Sequence, residues 1–196
     1  MYLSKVQLDW NATRNPYEWH RALWQFFPNR PDHTRDFLFR VEQQQVGKGA
    51  VLLMQSAICP IDIAASASLL APAKALNLSH IVSGQSLRFR LTANVVKAIR
   101  DSQDPEKKVR VPLIREDEQQ AWLKRKLEGA AKVDEVSLQT NSPVFFRRGG
   151  KAGKLVTVTF DGVLTVAEPT AFCSLVASGI GAAKSFGCGL LTLARV

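Results

Sequence analysis

The order of elements constrains this chain most tightly, because it occurs twice. In the first half, Tyr2–Asp9 reads as a strand. Asn15 followed by Pro16 marks a helix start: an Asn side chain accepts from the first free amides, and Pro needs no amide at the first helical position. Phe37–Gln43 alternates Phe37, Phe39 and Val41 against Leu38, Arg40 and Glu42, and Val51–Ser56 follows the turn-rich Gly47-Lys48-Gly49, which predicts a hairpin. The small-residue stretch Pro60–Leu70 is expected to be helical from Asp62, with Lys74–His80 as the last strand. The order is β-α-β-β-α-β.

The second half repeats it. Ser86–Thr92 alternates Leu87, Phe89 and Leu91 with Arg88, Arg90 and Thr92, as a half-buried strand does. A charged loop near Asp101–Lys108 leads to a helix over Arg115–Leu127, with Glu116, Asp117 and Glu118 in its first turn and Gly129 past its end. A strand around Val136–Phe146, a Gly149-Gly150 turn, a long strand Leu155–Val166, a helix Pro169–Ala177 and a strand Leu190–Ala194 complete the pattern. Two such units predict an α+β protein of tandem ferredoxin-like (RRM-like) βαββαβ domains, residues 1–85 and 86–196. Many RNA-binding domains share that fold, but the fold proves no function. No strand carries the aromatic consensus of an RNA-recognition motif, and Phe37 and Phe39 read as core.

Charge narrows the partner. The 26 Lys and Arg against 17 Asp and Glu leave a net +9, which calls for a polyanion, nucleic acid or an anionic membrane surface. Residues 1–85 hold eight basic and six acidic side chains, and residues 86–196 hold eighteen and eleven, so the excess lies on the second half. A membrane is the poorer fit. The weakly polar stretch Ala57–Ala75 contains Asp62, Pro60 and Pro72 and cannot span a bilayer, and the amino-terminal residues lack the apolar core of a signal peptide. Cys59, Cys173 and Cys188 are odd in number with no CxxC pair, which excludes a disulfide framework and a zinc knuckle and fits a reducing cytoplasm.

Three basic clusters stand out. Lys124-Arg125-Lys126, at a helix end, reads as a solvated face. Lys107, Lys108 and Arg110 sit in the charged loop. Arg147, Arg148, Lys151 and Lys154 bracket the Gly149-Gly150 turn, where a hairpin tip projects them in a row that fits a nucleic-acid groove. A fourth feature is the run from 179 to 191, with Gly179, Gly181, Gly187 and Gly189 around Lys184. It is no Walker loop, and structural turn and phosphate contact are both open readings of it.

Here the sequence resembles a known family. Gly-Ile-Gly-x5-Gly-Cys-Gly-Leu after two tandem ferredoxin-like units is similar to the signature of CRISPR repeat-processing endoribonucleases. The opening Met-Tyr-Leu-Ser-Lys-Val, the segment from Leu23 to Asp32, the Arg-Asp-Phe-Leu-Phe at 35–39 and the Arg110–Ile114 stretch resemble the CasE (Cse3) subfamily. The match covers nearly the whole chain. It implies a cytoplasmic RNase that cuts precursor CRISPR RNA at a repeat stem-loop, keeps the mature crRNA and joins the other subunits of the Cascade complex. It also places the Arg147-Arg148 hairpin in the groove of the repeat stem, Lys107, Lys108 and Arg110 on the backbone, and Lys184 on a phosphate.

His20, His33 and His80 lack metal-motif spacing and no carboxylate cluster replaces it, so a nuclease here needs no metal or other cofactor. RNA supplies its own nucleophile, the 2′-OH, and the protein has to align the attack, move protons and stabilise the phosphorane. On the first helix Trp19, Leu23 and Phe26 form the core stripe, which leaves His20 at its edge with Tyr17 three residues earlier on the same side. Position alone makes His20 a boundary histidine. The resemblance makes His20 and Tyr17 the catalytic pair, because the family has Tyr-x-x-His at this point, and treats His33 and His80 as bystanders. One departure is Gln25, where some relatives carry a lysine. Charge at the phosphorane then comes from Arg21 or from across the domain interface. A rival reading keeps RNA binding and drops catalysis, making the chain a scaffold subunit, against which the presence of His20 argues. A DNA-binding regulator would want a helix-turn-helix or a dimerisation heptad, and neither is recognisable.

Overall fold

A computed structural model describes residues 1–28, 36–100, 104 and 106–196. Strand β1 (Tyr2–Leu8) is central to the first sheet because Ser4, Val6 and Leu8 alternate inward and Lys5 points out. It pairs antiparallel with β3 (Gly49–Ser56) on one side and, on the other, with β4 (Ala67–Leu69) and the two-residue β5 (Lys74–Ala75). β2 (Phe37–Gln45) closes the far edge against β3, giving β2-β3-β1-β4.

The second sheet has the same plan. β6 (Ser86–Ala93) buries Leu87, Phe89, Leu91 and Ala93, and lies between β12 (Val158–Val166) and β13 (Leu191–Arg195), with β9 (Ala131–Thr140) outside β12. All of these pairings are antiparallel. Counted within each half, both sheets run second, third, first and fourth strand, the order of a ferredoxin-like domain. The tandem expected from the sequence is therefore present.

Three helices fall where the pattern placed them, the first beginning as a 3-10 turn; one short helix is additional and one expected helix is absent. In the first half, α1 (Trp10–Thr13), a 3-10 turn (Pro16–Glu18) and α2 (Trp19–Trp24) join β1 to β2. In the second, α3 (Glu116–Leu127) packs Trp122, Leu123 and Leu127, and α4 (Pro169–Ser178) packs Phe172 and Val176, into the core around Phe160 and Leu91. Glu168 caps α4 by accepting from the amides of Thr170 and Ala171, and those bonds, Ala171 foremost, hold its carboxyl below the usual range.

The absent helix is the one expected over Pro60–Leu70. Asp62, read as a helix start, accepts instead from the Leu69 amide at 3.1 Å, and Gln25 accepts from the amide of Ala65 at 3.0 Å. These side chains offer the backbone partners outside a helix, and the segment runs extended into β4. Of the strand expected over Lys74–His80 only Lys74–Ala75 forms, as β5, and the fourth place in the sheet goes to β4; Leu78 and Ile81 pack against the second core. Two long strands are divided. Val136–Phe146 becomes β9 and β10 (Val144–Arg148), parted at Pro143, which has no amide to give a ladder. Leu155–Val166 becomes β11 (Lys151–Leu155) and β12, parted where Asn94 donates to the carbonyl of Val156 at 2.8 Å. On either side of the loop expected near 101–108, β7 (Val96–Arg100) and β8 (Lys108–Pro112) pair antiparallel, which was not foreseen. Residues 101–103 and 105 of that loop, like His33 and the 29–35 part of the family-like segments, lie outside the described residues. Among the described residues no helix is long and apolar enough to cross a membrane.

The halves meet along β2. Arg40, only 6% exposed, gives Nε to Glu42 at 2.7 Å and Nη1 to Thr192 Oγ1 at 2.8 Å and the Arg90 carbonyl at 3.3 Å. Gln55 donates to the Val176 carbonyl at the end of α4, at 2.8 Å.

Candidate active site

Asn15 starts the site. Its φ of −122° is extended, and its Oδ1 accepts from the Tyr17 amide at 3.3 Å, the cap read from the sequence. The turn then runs into α2, whose Trp19, Ala22 and Leu23 are buried, with Phe26 beyond them. Burial of that face fixes the rotation of the helix and leaves Tyr17 and His20 half-buried at its rim. Their rings meet edge to face, 5.7 Å apart at 77°.

The second half of the chain walls this pair in. β10 and β11 form a separate two-stranded hairpin with Arg148 opposite Lys151 and Phe145 opposite Lys154. The guanidinium of Arg148 lies 5.5 Å over the Tyr17 ring, and Phe146 packs at 4.5 Å on Phe186, which itself sits 6.3 Å from Tyr17. The hairpin is pinned to the first domain by Asn15, whose Nδ2 donates to the Arg147 carbonyl at 2.9 Å and whose Oδ1 accepts from the Arg147 amide at 3.1 Å. Four residues drawn from both halves, Tyr17, His20, Arg148 and Phe186, thus surround one place.

The glycine run explains how Phe186 reaches it. The run leaves α4, is closed by the Ile180 amide donating to the Gly189 carbonyl at 2.9 Å, and packs against β2. A Cβ at Gly179 would sit 2.7 Å from Leu38, and one at Gly187 3.2 Å from Phe39, with φ positive at both. Of the two open readings, structural turn and phosphate contact, the close packing of Gly179, Gly181, Gly187 and Gly189 supports the first. Cys188, between two of them, is buried, and burial pushes its thiol up to about 12.

The other expected residues fall in different places. Arg147 and Arg148, expected in a row, point to opposite faces because neighbours in a strand alternate. Arg148 and Lys151 take the face toward Tyr17, and Arg147 and Lys154 take the other. Arg21 is exposed and paired with Glu18 at 3.0 Å. Gln25 is bound to the amide of Ala65 and the hydroxyl of Ser66 and serves the loop that replaced a helix. Lys184 donates to the Ser178 carbonyl at 2.6 Å, at the end of α4. Lys107 and Lys108 are exposed, whereas Arg110 lines an open groove of about 710 Å³ with Lys126, Lys184 and Asn94. Lys126, read as solvated helix surface, therefore belongs to a basic groove. Phe146, Phe186 and the hairpin-pinning role of Asn15 were not foreseen, since nothing in strand alternation or cap chemistry names a partner forty or more residues away. His80 is exposed, between β5 and β6. Among the described residues no three His, Cys, Asp or Glu side chains gather to hold a metal ion.

Comparison with known proteins shows the family and the fold. Residues 1–195 match the model of the family described as CRISPR associated protein. The chain is 46% identical over 200 residues to the CRISPR system Cascade subunit CasE of Escherichia coli (strain K12), covering 99% of each. It superposes on the crystal structure of Cas6e from Escherichia coli str. K-12 with a TM-score of 0.88 and 44% identity over 100% of both chains. A structure of CRISPR endoribonuclease Cse3 bound to 19 nt RNA gives 0.80 and 30%, again over 100% of both. With two ferredoxin-like sheets, a family-wide match and relatives aligned end to end, this chain belongs to the CRISPR-associated protein family that includes CasE and Cse3.

Proposed function

We propose that the chain is a metal-independent endoribonuclease that cleaves precursor CRISPR RNA at the repeat stem-loop. It stays on the mature crRNA as a Cascade subunit in the cytoplasm. The observation that carries this is the meeting of Tyr17 and His20 with Arg148 across the domain boundary. Residues 1–85 supply the proton-transfer groups and residues 86–196 the grip on RNA.

The chemistry needs few parts. The 2′-oxygen next to the scissile phosphate loses its proton and bonds to phosphorus, and the bond from phosphorus to the 5′-oxygen breaks as that oxygen gains a proton. The products are a 2′,3′-cyclic phosphate and a 5′-OH. His20 transfers a proton in this exchange, and the Tyr17 phenol orients the reacting phosphate beside it. Arg148 places a fixed positive charge where the phosphorane gathers negative charge, the role open at Gln25. The inner hairpin face, Arg148 and Lys151, lies along the RNA backbone, and Arg147, Lys154, Lys107, Lys108 and Arg110 add phosphate contacts whose loss weakens binding to any sequence. Lys184, tied to α4, acts through the groove wall it shares with Arg110 and Lys126. Arg21 contributes general positive potential.

The test is single-turnover cleavage of a repeat stem-loop RNA in EDTA. Cutting is expected with the unaltered chain, and none when the scissile nucleotide lacks its 2′-OH. A need for Mg²⁺ overturns the mechanism. Tight binding without cutting would establish the scaffold reading instead.

A further inference from the structure

The hairpin has a second face, that of Phe145, Arg147 and Lys154, which takes no part in the proton transfers. Phe145 is 67% exposed, the one aromatic among the exposed large apolar side chains of the described residues. Lys154, its cross-strand partner, holds its ammonium 5.9 Å over the ring. Beside it an open recess of about 410 Å³ at the edge of the hairpin is lined by Arg14, Asn15, Phe145, Phe146, Arg147, Ala152 and Gly153, with no carboxylate in its lining. An exposed aromatic inside a ring of cations has the chemistry of a nucleotide site, with a π-face for a base and charges for the phosphates on either side.

We propose that Phe145 is a stacking platform for an unpaired base in the single-stranded RNA that flanks the repeat stem. Arg14, Arg147 and Lys154 take the adjoining phosphates. The recess shares Asn15 with the histidine site, since that residue both caps the turn before Tyr17 and lines the recess. One strand of RNA passing around the edge of the hairpin reaches both. A paired base is already stacked on its neighbours and has no free face for Phe145, so the site distinguishes flank from stem. A protein partner is the poorer occupant, because three cations would then need three carboxylates to meet them on desolvation.

The proposal rests on the reading of the chain as an RNA-processing subunit, and its test separates the two. Affinities are measured for a bare repeat stem-loop and for the same stem-loop with single-stranded flanks, using the unaltered chain, Phe145→Ala, Phe145→Trp and, as a control distant in sequence, Ile114→Ala. The preference for flanked over bare RNA is expected to fall about tenfold in Phe145→Ala. It is expected to persist in Phe145→Trp, with the new indole quenched by flanked RNA only, and to be unchanged in Ile114→Ala. An unaltered preference in Phe145→Ala overturns the platform. If that variant instead loses association with another Cascade subunit, the face is a protein contact. Cleavage by the unaltered chain, scored in parallel, tests the nuclease reading on its own.

Discussion

Asn15 pairs with Arg147 as one strand residue pairs with another: its side-chain amide donates to the Arg147 carbonyl and accepts from the Arg147 amide, across 132 positions of sequence. The same oxygen accepts from Tyr17. One side chain therefore sets the helix carrying Tyr17 and His20 and the hairpin carrying Arg148 in register.

Removing that side chain has two effects. Asn15→Ala is expected to lower stability by about 1 to 2 kcal/mol, the usual cost of a lost cap, in urea unfolding. Asn15→Asp keeps the acceptor and loses the donor to Arg147. It should retain most of the stability but cleave more slowly at saturating RNA. Equal rates in Asn15→Asp and the unaltered chain would show that the hairpin holds its place without this bond.

His20→Ala is expected to reduce the single-turnover rate by roughly 10² to 10⁴, the span of general acid-base catalysis, with binding retained. Gel-shift and cleavage on the same RNA check both halves of that statement.

Arg148 and Arg147 should separate cleanly. Arg148→Ala is expected to lower the rate at saturating RNA by about 10² to 10³, as for other preorganised charges at a transition state. Arg147→Ala should leave that rate alone, weaken binding, and flatten the dependence of log K on log salt by about 1. Identical behaviour of the two variants would mean that the faces of the hairpin are not functionally distinct.

Much of this arrangement was legible in the sequence, and what was not shares a physical cause. Strand alternation put Phe39 and Phe89 in cores, cap chemistry put Asn15 at a helix start, and a face count put Tyr17 beside His20, all of them local effects. The helix expected from Asp62 failed because Gln25, forty residues from Ala65, takes that amide. Phe186 was missed for the same reason: its partners Phe146 and Tyr17 are brought to it only by the glycine run packed against β2. Non-local pairings of this kind leave no period in the chain.

Arg40→Met should test the joint between domains. Loss of the guanidinium removes a donor from the Thr192 hydroxyl and the Arg90 carbonyl, which keep each other as partners at 3.2 Å, and removes the ion partner of Glu42, at an expected cost of about 1 to 2 kcal/mol in urea unfolding. Because the proposed catalytic groups come from both sides of this joint, cleavage should fall at temperatures where the fold persists by circular dichroism.

Glu168→Gln tests the cap of α4. The carboxyl is held below its unfolded value, so its stabilisation is present above that value and is lost as pH falls through the depressed folded one. The variant should melt lower than the unaltered chain at neutral pH, and the difference should close in acid over the carboxylate range.

The alternation of β10 carries a rule of parity. Val144, Phe146 and Arg148 are one class and Phe145 and Arg147 the other, and the two classes meet different molecular surroundings although their side chains are nearly the same in kind. Insertion of a single residue between Phe146 and Arg147, with Arg147 held by Asn15 and the turn, would keep the charge and composition of the ribbon almost intact, yet exchange the faces of Phe145 and Phe146, turning the exposed aromatic toward Phe186. An insertion of two would restore them. The spacing between Pro143 and the Gly149-Gly150 turn is thus an odd-even code, and substitutions within it are tolerated more readily than any change in its count.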